Sequence, residues 1–460
     1  KLYKFVLEQY VKILVAEGYP IEFFIEGTRS RTGKLQKPKM GVLSMLVKAW
    51  QMKAAPDIYF VPISINYEKI FEEKSYVEEM KGGAKKKENV RGVLQATRKF
   101  KFKYGKVFIR FAEPISLAGY MGENEVTREA VSDFAYELTY HINRVSVVTS
   151  TSLAAISLLS FAKRGIPHAE ALERTAALHH YLEFKGATFS DIIRKPGEWA
   201  YAEALAKLAL ARVVTPHQDF QGNFYTVEET KRSVLDYHKN NSLHFFASLA
   251  CFAKVLQTAG TAQISFADLE ARYGRVKTLL DSEFTFSRRS GLETHLQKLI
   301  AFFKEEEWAR FDAGSGVLEF GPALNHPHFK LYASLLDNFF ESLYVTLLCV
   351  AHFPEKKGEK KKLELFILEK GKGPYLKGDL HYPEALSRFN VANSLVTLSS
   401  LGLIRIDEKG FDKLADEKEM SVWQKFIGEL LSAGDRTVSL PIKLEALSEN
   451  VQEPMNKDFH

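Results

Sequence analysis

The stretch IEFFIEGTRSRTGK, Ile21 to Lys34, joins a short apolar run to a loop dense in positive charge and hydroxyls. Ile21 to Ile25 predicts a strand of the kind buried in a parallel sheet, and Gly27 marks the turn that ends it. Loops at the carboxyl ends of such strands are where α/β proteins hold ligands. Past the turn come Arg29, Arg31, Lys34, Lys37 and Lys39 with no acidic residue among them, a distribution that a dianion neutralises well. Phosphate is the simplest such anion: guanidinium forks match its oxygens bidentately, and Thr28, Ser30 and Thr32 add hydroxyl donors. A nucleotide P-loop is excluded by spacing. Gly27 and Gly33 enclose five residues where that motif has four, and Leu35 stands where a Ser or Thr would reach Mg²⁺.

Working outward, Leu2 to Glu17 predicts an amphipathic helix, with Phe5, Val6, Tyr10, Ile13 and Leu14 on one side. Gly41 to Met52 predicts a second, and Ile58 to Ile65 a strand broken at Pro62, which cannot donate to a ladder. Val107 to Ala112 predicts another strand, and Val126 to Val145 a helix that closes the α/β region. KGGAKKKENVRG, within the basic run from Lys81 to Lys106, predicts a solvated loop. Val145 to Ala162 carries no charge but holds seven Ser and Thr residues, which favours a buried or membrane-resting helix over a spanning one. From there to about His352 the pattern is helical. FPEKKGEKKK, Phe353 to Lys362, predicts a charged linker. Beyond it, Glu384 to Leu401 and Leu403 to Ile406 resemble the recognition helix and wing of a winged helix, and the tail from Asn450 is polar.

Charge is unevenly placed. The chain carries 63 Lys and Arg against 57 Asp and Glu, but residues 1–110 alone hold 23 against 11. A basic region of this kind suits phosphate-bearing substrates, an acidic carrier protein, an anionic bilayer or nucleic acid, and a solvated face accounts for it equally. Two cysteines far apart, Cys251 and Cys349, argue against a disulfide framework. No metal-ligand spacing or cofactor motif is present.

FFIEGTRSRTGK resembles the third conserved block of the glycerolipid acyltransferases, in the glycerol-3-phosphate and dihydroxyacetone-phosphate branch. VPISINYEKIFEEKSYVEEMKGG, Val61 to Gly83, resembles the fourth block with the segment after it, and DYHKNNSLHFF, Asp236 to Phe246, a pattern in the carboxyl-terminal domain of the large members. The resemblance implies an α/β fold: an incomplete acyltransferase α/β domain over residues 1–145, followed by a large mainly α-helical domain over 146–353 and a linker with a small module over 354–460. It also implies transfer of an acyl group from acyl-CoA or acyl carrier protein to glycerol 3-phosphate, with dihydroxyacetone phosphate as the alternative acceptor. The expected substrate-binding residues are Glu26, Gly27, Thr28, Arg29, Ser30 and Arg31. No cofactor is implied. The partners are the two substrates and a membrane surface at the cytoplasmic face, the inner membrane in a bacterium, and no nucleic acid. The family's general base belongs to a His-x-x-x-x-Asp pair, and the sequence contains none. His168 and Glu173 imitate the spacing on a predicted helix far from the loop, so the pair is expected upstream in a longer enzyme.

Overall fold

The computed structural model describes residues 2–28, 30, 32–68, 106–122, 126–161, 163, 165–220, 222–288, 291–407 and 410–433. The basic run of residues 81–105 and the tail from Asn450 lie outside them. The chain divides into two compact units, Lys1–Ala247 with Phe284–His295, and Ser248–Glu283 with Leu296–His460. Helix predominates over sheet in the described residues.

The amino-terminal region opens with α1 (Leu2–Ala16) and α2 (Met40–Gln51), which pack on each other; α1 turns Leu7, Val11 and Val15 to the core, while Phe5, Val6, Tyr10 and Ile13 of its expected apolar side are exposed. Strand β1 (Tyr59–Phe60) leads through Pro62 into β2 (Ile63–Tyr67), then β3 (Val107–Phe111) and β4 (Ile115–Ser116). Pro62 falls where the chain changes partner, because β1 pairs with β4 while β2 pairs with β3. Short α3 (Leu117–Met121) and long α4 (Arg128–Arg144) complete the region, the latter capped by Thr127, whose hydroxyl accepts from the Ala130 amide. Ile25, Leu43, Leu46, Phe60, Phe134 and Leu138 form its core. Each fully buried side chain of that size contributes roughly 1.5–3 kcal/mol.

The expected strand at Ile21–Ile25 is not formed. These residues carry no ladder among the described residues, and Phe24 is 73% exposed while Ile25 is buried. A strand is defined by its neighbour, and an apolar run alone does not supply one. A second consequence is visible at β2 and β3. Ile63 faces Phe111, Ile65 faces Ile109 and Tyr67 faces Val107 in register, giving three apolar cross-strand pairs that are all exposed.

The remainder of the chain contains one arrangement three times. The first copy runs α5 (Ser150–Leu159), β6 (Gly165–Pro167), α6 (His168–Phe184), α7 (Glu198–Leu210), the hairpin β8 (Thr215–Asp219) and β9 (Gly222–Thr226), and α8 (Glu229–Leu243). A small parallel pair, β5 (Val147–Val148) with β7 (Thr188–Phe189), adjoins it. The second copy is α9 (Ala247–Gln257), β10 (Gln263–Ser265), α10 (Phe266–Leu280), α11 (Leu292–Glu305), β11 (Arg310–Asp312), β12 (Val317–Glu319) and α12 (Pro327–Ser334). The third is α13 (Asp337–His352), β13 (Lys357–Glu359), α14 (Lys360–Lys377), α15 (Arg388–Ser400), β14 (Ile404–Ile406), β15 (Gly410–Lys413) and α16 (Glu417–Ser432). The sheets have orders β6-β9-β8, β10-β12-β11 and β13-β15-β14, with the last strand of each hairpin in the centre. Strand, helix, helix and hairpin in this order is the topology of a winged helix. The second helices of the three sheets, α7, α11 and α15, carry four acidic and four basic residues between them, so no excess of charge is available there to meet a nucleic-acid backbone.

The uncharged helix α5 is buried throughout. Hydroxyls in and just after it are met by protein: the Ser152 and Ser242 hydroxyls lie 2.7 Å apart, Ser157 donates to the Ala171 carbonyl, and Ser160 Oγ, at the carboxyl-terminal cap, accepts from Arg174. Helix α13 is the counterpart in the third copy, and the carboxylate of its Asp337 lies 2.7 Å from Lys254 Nζ inside the second unit. Among the described residues no single helix is long and apolar enough to cross a membrane, and α12 with α13 reaches that composition only as a pair bent by 42°.

The charged run expected to be a linker is instead β13 and the start of α14. Phe353 is buried against Phe366 and Phe411, while Lys357 pairs outward with Asp412 at 3.0 Å. Alternate charges on a short strand can all face solvent, so composition alone does not separate it from a linker.

Candidate functional site

The Glu26–Lys39 loop is held at both ends. Ile25 sits in the core, and its carbonyl accepts from the Lys39 amide at 2.7 Å, which closes the loop at its base. One step on, Glu26 Oε2 accepts from the Gln36 amide at 2.8 Å. Gly27 takes a left-handed conformation (φ +66°), and a Cβ there would come within 3.0 Å of the Lys39 side chain. Inside the loop, Ser30 Oγ donates to the Lys34 carbonyl at 2.5 Å, and Thr32 Oγ1 accepts from the Gln36 side-chain amide at 3.2 Å and from the Lys34 amide at 3.3 Å. Thr28 is exposed. Arg29 and Arg31 lie outside the described residues.

Lys34, counted in the sequence among the cations that meet an anion, is turned inward. It is 6% exposed, and its ammonium stands 5.6 Å from the centre of the Phe284 ring. The reversal at Gly33 (φ +80°) carries the chain from the loop back into the protein.

Glu26 is the perturbed group of the loop. Burial pushes its carboxyl up to about 7, partly opposed by the hydrogen bond from the Gln36 amide. A carboxyl near neutrality exchanges its proton at physiological pH and can donate to or accept from a hydroxyl.

Helix α8 meets the loop from the far side. Both hydrogens of the Asn240 amide are used, one donated to the Thr32 carbonyl at 2.8 Å and one to Asp236 Oδ2 at 3.1 Å. Asp236 in turn lies 2.7 Å from Lys239 Nζ, and all three residues are buried. A Cβ on Gly33 would stand 2.2 Å from the Tyr237 carbonyl oxygen, so loop and helix backbones touch. The sequence placed Asn240 only within the DYHKNNSLHFF pattern and did not reveal this junction. The available signal was the spacing of Asp236, Lys239 and Asn240, which puts all three on one helix face.

The histidines of the region are structural. His244 Nε2 donates to the Asn143 carbonyl at 3.0 Å beside Ser146 Oγ, and burial holds its imidazole down to about 3. Burial alone takes His238 down to about 4. His168 Nδ1 lies 3.0 Å from the Tyr225 hydroxyl at the start of α6. Cys251 and Cys349 are buried thiols, and burial pushes both well above the usual range. Among the described residues, no three His, Cys, Asp or Glu side chains are grouped to hold a metal ion.

The sequence model described as the glycerol-3-phosphate acyltransferase C-terminal region matches residues 76–407, which include α8 but not the loop it contacts. The chain belongs to the glycerol-3-phosphate acyltransferase family. A general acyltransferase model matches residues 1–66, the part holding the loop. Among curated relatives, glycerol-3-phosphate acyltransferase of Pseudomonas fluorescens (strain Pf0-1) is 24% identical over 481 aligned residues, covering 99% of this chain and 56% of the relative. The enzymes of the same name from Histophilus somni (strain 129Pt) and Haemophilus influenzae (strain PittEE) are 29% and 30% identical over 67% and 56% of this chain. This family member spans between about a third and just over half of the length of those relatives.

Proposed function

We propose that the chain is the carboxyl-terminal part of a glycerol-3-phosphate 1-O-acyltransferase, and that the Glu26–Lys39 loop receives the phosphate of glycerol 3-phosphate through Arg29 and Arg31. The observation that supports this most directly is a self-closed loop carrying the Glu-Gly-Thr-Arg segment, internally hydrogen-bonded and bound to α8 within the region that the family model matches. The sn-1 hydroxyl attacks the thioester carbonyl of acyl-CoA or acyl carrier protein. A histidine supplied upstream takes the hydroxyl proton, the carbon–oxygen bond forms, and the thiol leaves, giving lysophosphatidate. Glu26, close to neutrality, hydrogen-bonds the glycerol or orients Arg29.

Two surfaces support completion by further polypeptide and work at a membrane on its cytoplasmic side: the exposed apolar pairs of β2 and β3, and the exposed Leu2, Tyr3, Phe5 and Tyr10 of α1. The basic excess of residues 1–110 suits an anionic bilayer and an acidic acyl carrier.

The test is acyl transfer to labelled glycerol 3-phosphate by membranes expressing the complete open reading frame that encodes this chain, in wild type and in Arg29→Ala. Transfer in the wild type and its loss in the variant are expected. Absence of transfer by the wild type would sink the reading.

A further inference from the structure

The second helices of the three winged-helix copies share a burial pattern, so one face of the fold can be compared three times. Tyr201, Ala204, Leu205 and Leu208 of α7 are buried at the positions of Leu296, Leu299, Ile300 and Phe303 in α11 and of Val391, Ser394, Leu395 and Leu398 in α15. The face turned away from that core differs in each copy. In α11 it is exposed and polar, with Thr294, Gln297 and Glu305 around Ala301. In α15 it is mostly apolar, with Phe389, Ala392 and Val396, and it is half-buried: α10 packs on this helix, and the neighbouring Asn393 donates to Glu283 Oε2, just past α10, at 3.1 Å. In α7 it holds Trp199, Ala202, Ala206 and Leu210, which helical spacing puts within about 80° of arc. Yet Trp199 is 72% exposed and Leu210 86%, and Ala206 is exposed between them. The fold accepts a polar face here, as α11 shows, and where the face is apolar in α15 a helix covers it.

We propose that this face of α7 is a homodimer interface, in which two copies of the chain pack α7 against α7, antiparallel, about a twofold axis. The stripe is self-complementary in shape. Its bulky residues stand at its two ends, about 16 Å apart along the helix, so Trp199 of one copy lies over Leu210 of the other. The alanines between them let the helices approach to roughly 8 Å, and the tryptophans are the anchors. The stripe is self-complementary in charge as well. Glu203 and Lys207 flank it on one side, and in this register Glu203 of each copy comes opposite Lys207 of the other. An anionic bilayer fits the same face less well, because α7 carries Glu198 and Glu203 against Lys207 alone.

The experiment uses the complete enzyme in non-ionic detergent and reads its mass by light scattering over a concentration series, in wild type, Trp199→Ser, Ala206→Glu, Ala206→Cys and Leu376→Asp. Ala206 is exposed, so its replacements leave the fold alone, and Leu376, 83% exposed on α14, controls for loss of an apolar side chain elsewhere. Wild type and Leu376→Asp should be dimers. The dissociation constant should rise at least about tenfold in Trp199→Ser, which removes the anchor, and in Ala206→Glu, which sets like charges near each other across the axis. A short bismaleimide should join two copies of Ala206→Cys and not of wild type, since Cys251 and Cys349 are buried. A wild type that is monomeric at every concentration would overturn the proposal, and so would a dimer that both Trp199→Ser and Ala206→Glu leave intact. Two further results would overturn it by naming another occupant. A monomer that binds phosphatidylglycerol vesicles and is released by Trp199→Ser assigns the face to a membrane, and a monomer in which Ala206→Cys resists a maleimide assigns it to other polypeptide of the same enzyme.

Discussion

Replacing Gly33 with alanine perturbs the junction of loop and helix at one atom, and its size can be worked from the structure. The residue sits at φ +80°, where an L side chain costs roughly 1–2 kcal/mol. The new methyl would also lie 2.2 Å from the Tyr237 carbonyl oxygen and 3.3 Å from Asn240 Cβ, closer than packed atoms tolerate, so loop and helix must separate. Separation breaks the Asn240–Thr32 hydrogen bond and strands a buried donor and acceptor, which costs a further 1–3 kcal/mol, roughly. The control is Gly18→Ala: φ is +73° and nothing lies within 4 Å of the new Cβ, so it carries the backbone strain without the clash. In a unit of this size each kcal/mol moves the melting temperature by roughly 2–4 °C. Calorimetry should therefore place Gly33→Ala well below Gly18→Ala, by about 4–8 °C for a difference near 2 kcal/mol. Equal melting temperatures for the two variants would refute the reasoning, because they would mean that the loop does not bear on α8.

Further outcomes follow from other parts of the molecule. Glu26 has a folded value of about 7 against an ordinary 4.5, so its contribution is fully present below pH 4.5 and is lost as pH rises through 7. Glu26→Gln, which keeps the acceptor for the Gln36 amide, should match wild type near pH 4.5 and exceed it at pH 8 by up to about 3 kcal/mol in urea titrations. Equal differences at both pH values would count against it. Burial holds His238 at about 4 in the folded state, so its share of stability is present above pH 6.5 and lost as pH falls towards 4; His238→Gln should flatten the acid limb of a pH–melting curve. In the second unit, Lys254→Met takes away the cation facing buried Asp337 and should destabilise by about 3–5 kcal/mol, with much of it restored in Lys254→Met/Asp337→Leu; chemical denaturation of both variants checks this.

The helices α1, α2 and α4 could be read from sequence to within a few residues from their apolar spacing, although the side of α1 read as apolar, with Phe5, Val6, Tyr10 and Ile13, is exposed. The break at Pro62 followed from a missing amide hydrogen, and the loop's identity from its run of Gly, Thr and Arg. The strand expected at Ile21–Ile25 failed because pairing belongs to two segments and the run names only one. Of the threefold winged-helix arrangement only the third copy was legible, at Glu384–Ile406; the first two escaped because their strands are three to five residues long, too short for an alternation to register. The expected linker failed because charges on an edge strand and a helix start look like charges in a coil.

Local chemistry is therefore what the sequence by itself determined: which segments are helical, which loop collects cations and hydroxyls, and which family the blocks resemble. Tertiary structure alone decided that Lys34 turns inward to Phe284, that burial lifts the Glu26 carboxyl, and that Asn240 reaches Thr32 across 208 residues. Spacing along a chain reports what lies within a helical turn or a strand pair, whereas burial and long-range hydrogen bonds depend on which distant surfaces meet, and the whole fold sets that.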